Sequence, residues 1–166
     1  MSQTPSGTSL NTALPVRTRI GQLLLAGLGA FLALGLVATL AERSGQPWLI
    51  GSFGASCVLL FGFPQAPFSR PRNVIGGHLL SSCIGLACLQ LLGPEALPMS
   101  LACALALVLM GISDTTHPPA GGNPIIVFMM QPDWSFALMP TLAGALLLTA
   151  FAWLYGRTLQ RLRQRT

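Results

Sequence analysis

The sequence contains no lysine. Its nine basic residues are all arginine, set against four acidic residues and two histidines in 166 positions. Charged residues make up 8% of the chain and hydrophobic ones 52%, whereas soluble domains carry about 25% charge. The composition is that of a membrane protein. With carboxylates this scarce and none of them paired, the sequence holds no acid/base pair. It also has no HExxH motif, no nucleophile elbow and no haem-type histidine pair on one helix, so an enzymatic or redox role is disfavoured. The four cysteines, Cys57, Cys83, Cys88 and Cys103, all lie in apolar segments without CxxC spacing. They read as small packing hydrophobes rather than a disulfide framework or thiolate site. Two histidines without a carboxylate partner make poor metal ligands, and no metal or cofactor is expected. The net charge of +5 is spread over short loops and the two ends, which is not a nucleic-acid footprint.

What the chain has in abundance is apolar length. Residues 1–16 are rich in Ser, Thr and Pro and read as a disordered tail; 17–156 read as one transmembrane domain, and 157–166 as a basic cytoplasmic tail. Ile20–Ala41 carries no charge, and at ~1.5 Å per residue it crosses the ~30 Å hydrocarbon core. It is too long for a signal-peptide core, so a retained helix is expected. Further apolar segments follow at 48–63, 74–92, 99–113, 114–130 and 134–156. If all six cross, every loop arginine except Arg43 falls on one face, the positive-inside pattern. A four-helix arrangement also puts both termini inside, but the placement of Arg70 and Arg72 favours six. The expected fold is an all-α membrane protein of about six transmembrane segments in the cytoplasmic (inner) membrane, both termini cytoplasmic. The all-Arg usage fits a GC-rich bacterial genome. Trp48, Trp134 and Trp153 lie near segment ends, as interfacial anchors do.

Two segments are short and broken. "GASCVLLFGFPQ" (54–65) echoes "GGNPIIVFMMQP" (121–132), aligning Gly54 with Gly121 and Phe61 with Phe128. Each falls in the middle of a group of three segments, the layout of a 3+3 inverted repeat, where paired Gly/Pro-broken segments mark a transport site. In "DTTHPPAGGNPIIVFMM" (114–130) only the second half suits a helix. Irregular backbone at membrane depth is tolerated where protein buries it or a wet cavity meets it. Asn123 reads as an N-cap with Pro124 at the first helical position, and Gly121 and Gly122 as sites of positive φ or close approach. The free N–H groups of such a half-helix would make an anion site. "WLIGSFGAS" reads as extended or kinked ahead of a helical "CVLLFGF", with Ser52, Gly54 and Ser56 at the matching N-terminus.

"PRNVIGGH" (71–78) and "THPPAGG" (116–122), preceded by "GSFGASCVLLF", resemble the signature stretches of the HPP family of membrane proteins over roughly residues 20–156. "AGGNP" after the HPP motif departs from the expected "GGATA". The resemblance implies an integral membrane protein, usually described with four helices. One plastid and cyanobacterial branch is linked to nitrite transport. Some bacterial members carry CBS domains, which this sequence does not contain.

The leading expectation is therefore a transporter or channel for a small inorganic anion, nitrite foremost, with protons as a candidate co-substrate; the alternative is a regulatory or structural membrane subunit. His117 is the foremost site residue, as an ionisable group at membrane depth. His78, about one turn into its segment, is a relay partner or a packing residue. Asn73 reads as the N-cap of that segment. Arg72 reads as an anion attractor or topology anchor that Asp114 can pair with. Thr115 and Thr116 line the path or satisfy backbone groups. Gly77, Ser81 and Gly85, and Thr141, Ala145 and Thr149, form small-residue packing stripes. The expected partners are membrane lipid and further copies of the chain in a homo-oligomer.

Overall fold

The computed structural model describes residues 16–45 and 48–164. The tail expected to be disordered therefore lies outside the described residues except for Val16, as do residues 165–166 of the basic tail. Among the described residues the fold is all helical. Helix α1 (Val16–Ser44) is 29 residues long, about 43 Å. Helix α2 (Ser52–Cys57) runs on into a π-turn at Val58–Gly62. A 3₁₀ turn at Pro67–Ser69 leads into α3 (Pro71–Leu92), and α4 spans Ala96–Ile112. A second 3₁₀ turn at Pro118–Gly122 leads into α5 (Asn123–Met130), and a π-helical stretch at Ala137–Leu142 precedes α6 (Ala143–Arg163). Thr18–Ser44, Pro71–Leu92 and Ala137–Leu162 are long and apolar enough to cross a membrane; Ser52–Gly62 and Ala96–Ile112 are shorter apolar helices. The chain is an all-α membrane protein.

Helix α3 is the axis, packed by α4, α5, α6 and both 3₁₀ turns, while α1 lies against α2 and α6. The core between these layers holds Val37, Phe53, Val74, Leu86 and Leu148, each essentially inaccessible. The small-residue stripe of α3 is the bed for the broken segment. A Cβ added at Gly77 would stand 2.8 Å from the Thr115 carbonyl oxygen and 2.9 Å from His117 Cβ, and one at Gly85 would stand 2.9 Å from Pro124 Cα. Between them, Ser81 Oγ donates to the Ala120 carbonyl at 2.7 Å, satisfying an acceptor that lipid could not.

Three boundaries differ from expectation. The first broken segment is helical from Ser52, not from Cys57, because Gly51 ahead of it already has helical angles, φ −58° and ψ −30°, and the chain enters the helix there without a kink. Helix α3 begins at Pro71, since proline fits the first turn, where its missing N–H is not needed. The last segment, expected as one apolar run from 134 to 156, is broken near its start: Met139 sits at φ −134°, ψ 117°, the extended region to which a following proline confines its neighbour.

Trp48 and Trp134 sit near helix ends as expected, whereas Trp153 lies midway along α6, which runs past the expected segment end to Arg163. Trp48 Nε1 donates to Ser44 Oγ at 2.9 Å, Trp134 Nε1 to Gln90 Oε1 at 2.8 Å, and Trp153 lies 4.2 Å under the Arg157 guanidinium. All four cysteines are free thiols, with Cys57 and Cys88 buried.

Candidate functional site

The broken segments and α3 meet at two histidines. His78 comes from α3, His117 from the start of the second broken segment, and both are completely buried. Their ring centroids stand 5.0 Å apart. Ser56 of α2, also completely buried, lies between them, its Oγ 2.9 Å from His78 Nε2 and 2.9 Å from His117 Nε2. The same hydroxyl is 3.1 Å from the Ser52 carbonyl oxygen one turn back.

The outer partners fix the tautomers. His117 Nδ1 is 2.7 Å from the Phe68 carbonyl; a carbonyl only accepts, so Nδ1 carries the hydrogen and the neutral ring leaves Nε2 bare. His78 Nδ1 faces Asn123 Nδ2 at 3.1 Å. That amide nitrogen is also 3.2 Å from the His78 carbonyl and 2.9 Å from Ser82 Oγ; the carbonyl identifies it as the donor, and of its two hydrogens one goes to Ser82 while the other is shared between His78 Nδ1 and the His78 carbonyl. His78 Nδ1 is therefore bare and its Nε2 carries the hydrogen. The chain runs in one direction: Asn123 donates to His78, His78 to Ser56, Ser56 to His117, and His117 to Phe68. Beyond Asn123, Ser82 Oγ is 3.1 Å from Thr141 Oγ1, just after the break in the last segment. Two buried polar atoms among the described residues lack any partner, Ser52 Oγ and Asn123 Oδ1, and both belong to residues that touch this chain.

The structure thus brings together Ser52, Ser56, His78, His117 and Asn123 of the sequence-predicted set. Asn123 is not an N-cap: it has helical angles, with Gly122 as the residue before the helix, because the 3₁₀ turn feeds α5 without a gap. Of the N–H groups leading into α5, Pro118 and Pro119 have none, the Ala120 N–H donates to the His117 carbonyl at 2.9 Å and the Asn123 N–H donates to the Ala120 carbonyl, so none of these is free for an anion. Asn73 is not an N-cap either; it lies inside the first turn of α3, and its Nδ2 donates to the Thr116 carbonyl at 2.9 Å. With α3 starting at Pro71, His78 sits two turns in rather than one. Gly121 and Gly122 serve neither close approach nor positive φ, a Cβ at either meeting nothing within 4 Å. Gly54 is exposed and faces away from the histidines, beside Phe31 and Gly35 of α1.

Arg72, Thr115 and Thr116 stay outside the cluster. The exposed Arg72 guanidinium donates to the Ser113 carbonyl at 2.6 Å and stands 3.8 Å from Asp114 Oδ2, the pairing expected from the sequence and a weak one at such exposure. Thr115 Oγ1 pairs with Ser113 Oγ at 2.7 Å. Two cavities, of about 320 and 160 Å³, open near Gln65 and Ser69; neither is lined by His78 or His117. Sequence reasoning missed Ser82 and the Phe68 carbonyl. Ser82 follows His78 by four residues and so shares its helix face, a signal that was available; the Phe68 carbonyl left none.

Residues 15–165 match the model of the HPP transmembrane region. Two transmembrane proteins of Dictyostelium discoideum are similar: one is 34% identical over 86% of this chain and 53% of its own length, the other 32% identical over 82% and 48%. The chain spans about half the length of these curated relatives. No solved structure matches it. The chain belongs to the HPP family of transmembrane proteins.

Proposed function

We propose that this HPP-family chain transports a small inorganic anion, with nitrite the foremost candidate on the family resemblance, and that the His78–Ser56–His117 chain is its site. The carrying observation is the fully buried imidazole–hydroxyl–imidazole chain at the junction of the broken segments. Ionisable groups at membrane depth are rare, and where they occur partnered in a buried site they mark substrate or proton paths. Donors here are imidazole N–H and serine O–H groups rather than helix-terminal amides, so the anion is held by side chains. The histidines are sealed in this state, as an alternating-access carrier requires between openings.

The inverted-repeat reading gains support at the same place. In the echo that aligns Gly54 with Gly121, Ser56 falls opposite Asn123, and these two residues take opposite ring nitrogens of His78. In this reading the protein lies in the cytoplasmic membrane with both termini inside and works as a homo-oligomer.

The test is uptake by proteoliposomes holding the purified protein, with nitrite, nitrate, formate, chloride and bicarbonate compared. Selective flux that falls at least about tenfold in His117→Ala and in His78→Ala, a loss of ~1.4 kcal/mol or more, supports the proposal. No flux of any anion from folded protein overturns it and moves weight to a regulatory membrane subunit.

A further inference from the structure

We infer that this site binds one proton together with each monovalent anion, so that the pair crosses as an electroneutral unit; the inference rests on the transport reading above. In the neutral site the Ser56 hydroxyl accepts from His78 Nε2–H and donates to the bare Nε2 of His117. A proton arriving on His117 Nε2 would meet the Ser56 hydrogen, but that hydrogen has somewhere else to go. The Ser52 carbonyl oxygen is 3.1 Å from Ser56 Oγ, and rotation about Cβ–Oγ transfers the donation there without breaking a covalent bond. Ser56 then accepts from both Nε2–H groups and donates once, which uses a hydroxyl's two lone pairs and one hydrogen completely.

No such accommodation exists for a second proton. The remaining bare nitrogen is His78 Nδ1, which faces the Asn123 amide donor at 3.1 Å. That amide is itself held by the His78 carbonyl and Ser82. A second proton would also place two imidazolium rings 5.0 Å apart between centroids. The site therefore takes one proton.

Charge supplies the other half. The neighbouring buried polar side chains Ser52, Ser81, Ser82, Asn123 and Thr141 do not titrate, and the nearby buried thiol is Cys57. All four carboxylates, Glu42, Glu95, Asp114 and Asp133, are exposed. An imidazolium in this place has no counter-charge from the described protein, and an uncompensated buried charge is expensive. The compensating charge is the anion, one per proton. The Ser52 hydroxyl, buried and without a partner, is a donor for it. Both proton and anion come from the solution on one side and leave on the other; nothing is oxidised or reduced. Divalent anions are excluded by the same count.

Two measurements test this separately. Solid-state ¹⁵N NMR of histidine-labelled protein in lipid bilayers, with no anion added, is expected to show one Nε2–H ring and one Nδ1–H ring. Adding nitrite at mildly acidic pH is expected to protonate one ring, His117, and leave His78 unchanged. Two like tautomers, or both rings protonating, overturn the inference. In proteoliposomes, nitrite and proton uptake are expected at 1:1, unmoved by an imposed membrane potential, with sulfate not carried. Ser56→Thr, which keeps the hydroxyl, is expected to retain this ratio, and Ser56→Ala to lose at least tenfold in rate. Nitrite flux driven by potential without proton movement overturns the inference while leaving the transport reading intact. No flux, with the one-proton NMR pattern present, overturns the transport reading and leaves the one-proton site standing.

Discussion

His78 and His117 turn the same ring nitrogen, Nε2, toward one hydroxyl, Ser56 Oγ, at 2.9 Å each, yet the two rings are opposite tautomers. The difference is imposed from outside the pair, by an amide donor at Asn123 and a carbonyl acceptor at Phe68. The three side chains come from three separate segments, so the pair also fastens the fold.

That fastening makes the histidines interdependent in stability. His78→Ala and His117→Ala each leave buried partners unsatisfied and are expected to cost about 1–3 kcal/mol. The double variant is expected to cost less than the sum, with an interaction energy of about 0.5–3 kcal/mol. Reversible denaturation in detergent checks it; strict additivity would mean that Ser56 does not couple them.

Asn123 is held by its donor side. Asn123→Leu removes the amide from His78 Nδ1, the His78 carbonyl and Ser82 together, and a loss of about 1–3 kcal/mol is expected. Asn123→Asp replaces the donor by an acceptor, which invites a hydrogen onto His78 Nδ1. The expected ¹⁵N signature is a change of tautomer at His78, with His117 keeping its Nδ1–H. An unchanged His78 ring would show that Asn123 does not set it.

The sequence made the all-helical membrane fold legible because long uncharged runs leave few alternatives. It also pointed to His117, His78 and the two broken segments, since prolines, glycines and ionisable groups at membrane depth are conspicuous. It misplaced the roles of Asn73 and Asn123. Both looked like caps by position, but a cap preference is local, and here tertiary acceptors at Thr116 and His78 claim the side chains. The 3₁₀ turn through Pro118–Gly122 was illegible for a related reason: the glycines that suggested positive φ are free of any close contact and simply continue the helix. The Ser56 junction joins residues 22 and 61 positions apart, and no local pattern encodes such a meeting.

At the surface, Asp133 carries a separate, testable titration. Ser135 donates to its Oδ1 through both its hydroxyl and its backbone N–H, and these bonds hold the carboxyl below the ordinary aspartate value. Bonds to the charged form depress a carboxyl pKa, so whatever stability they give is present above the unfolded value and is lost as pH falls through the depressed one. Ser135→Ala is expected to move the Asp133 titration upward, read by carboxyl ¹³C shifts. An unmoved titration would mean that the bonds do not persist in solution.

The glycines of α3 give the sharpest steric contrast. Gly77→Ala would press a Cβ against the Thr115 carbonyl at 2.8 Å, and Gly85→Ala against Pro124 Cα at 2.9 Å. Both obstacles are backbone and cannot swing aside, so each variant must push the broken segment off α3, at a cost of about 1–3 kcal/mol. Displacing His117 also lengthens its bond to Ser56, so flux is expected to fall with stability. Gly121→Ala meets nothing within 4 Å and keeps its helical backbone, where alanine is favoured over glycine by about 1 kcal/mol. It is expected to be neutral or stabilising despite lying in the signature motif itself. Thermal unfolding in detergent beside nitrite uptake separates the cases: a Gly121→Ala variant as damaged as Gly77→Ala would mean that the motif glycines are needed in a conformation other than this sealed one.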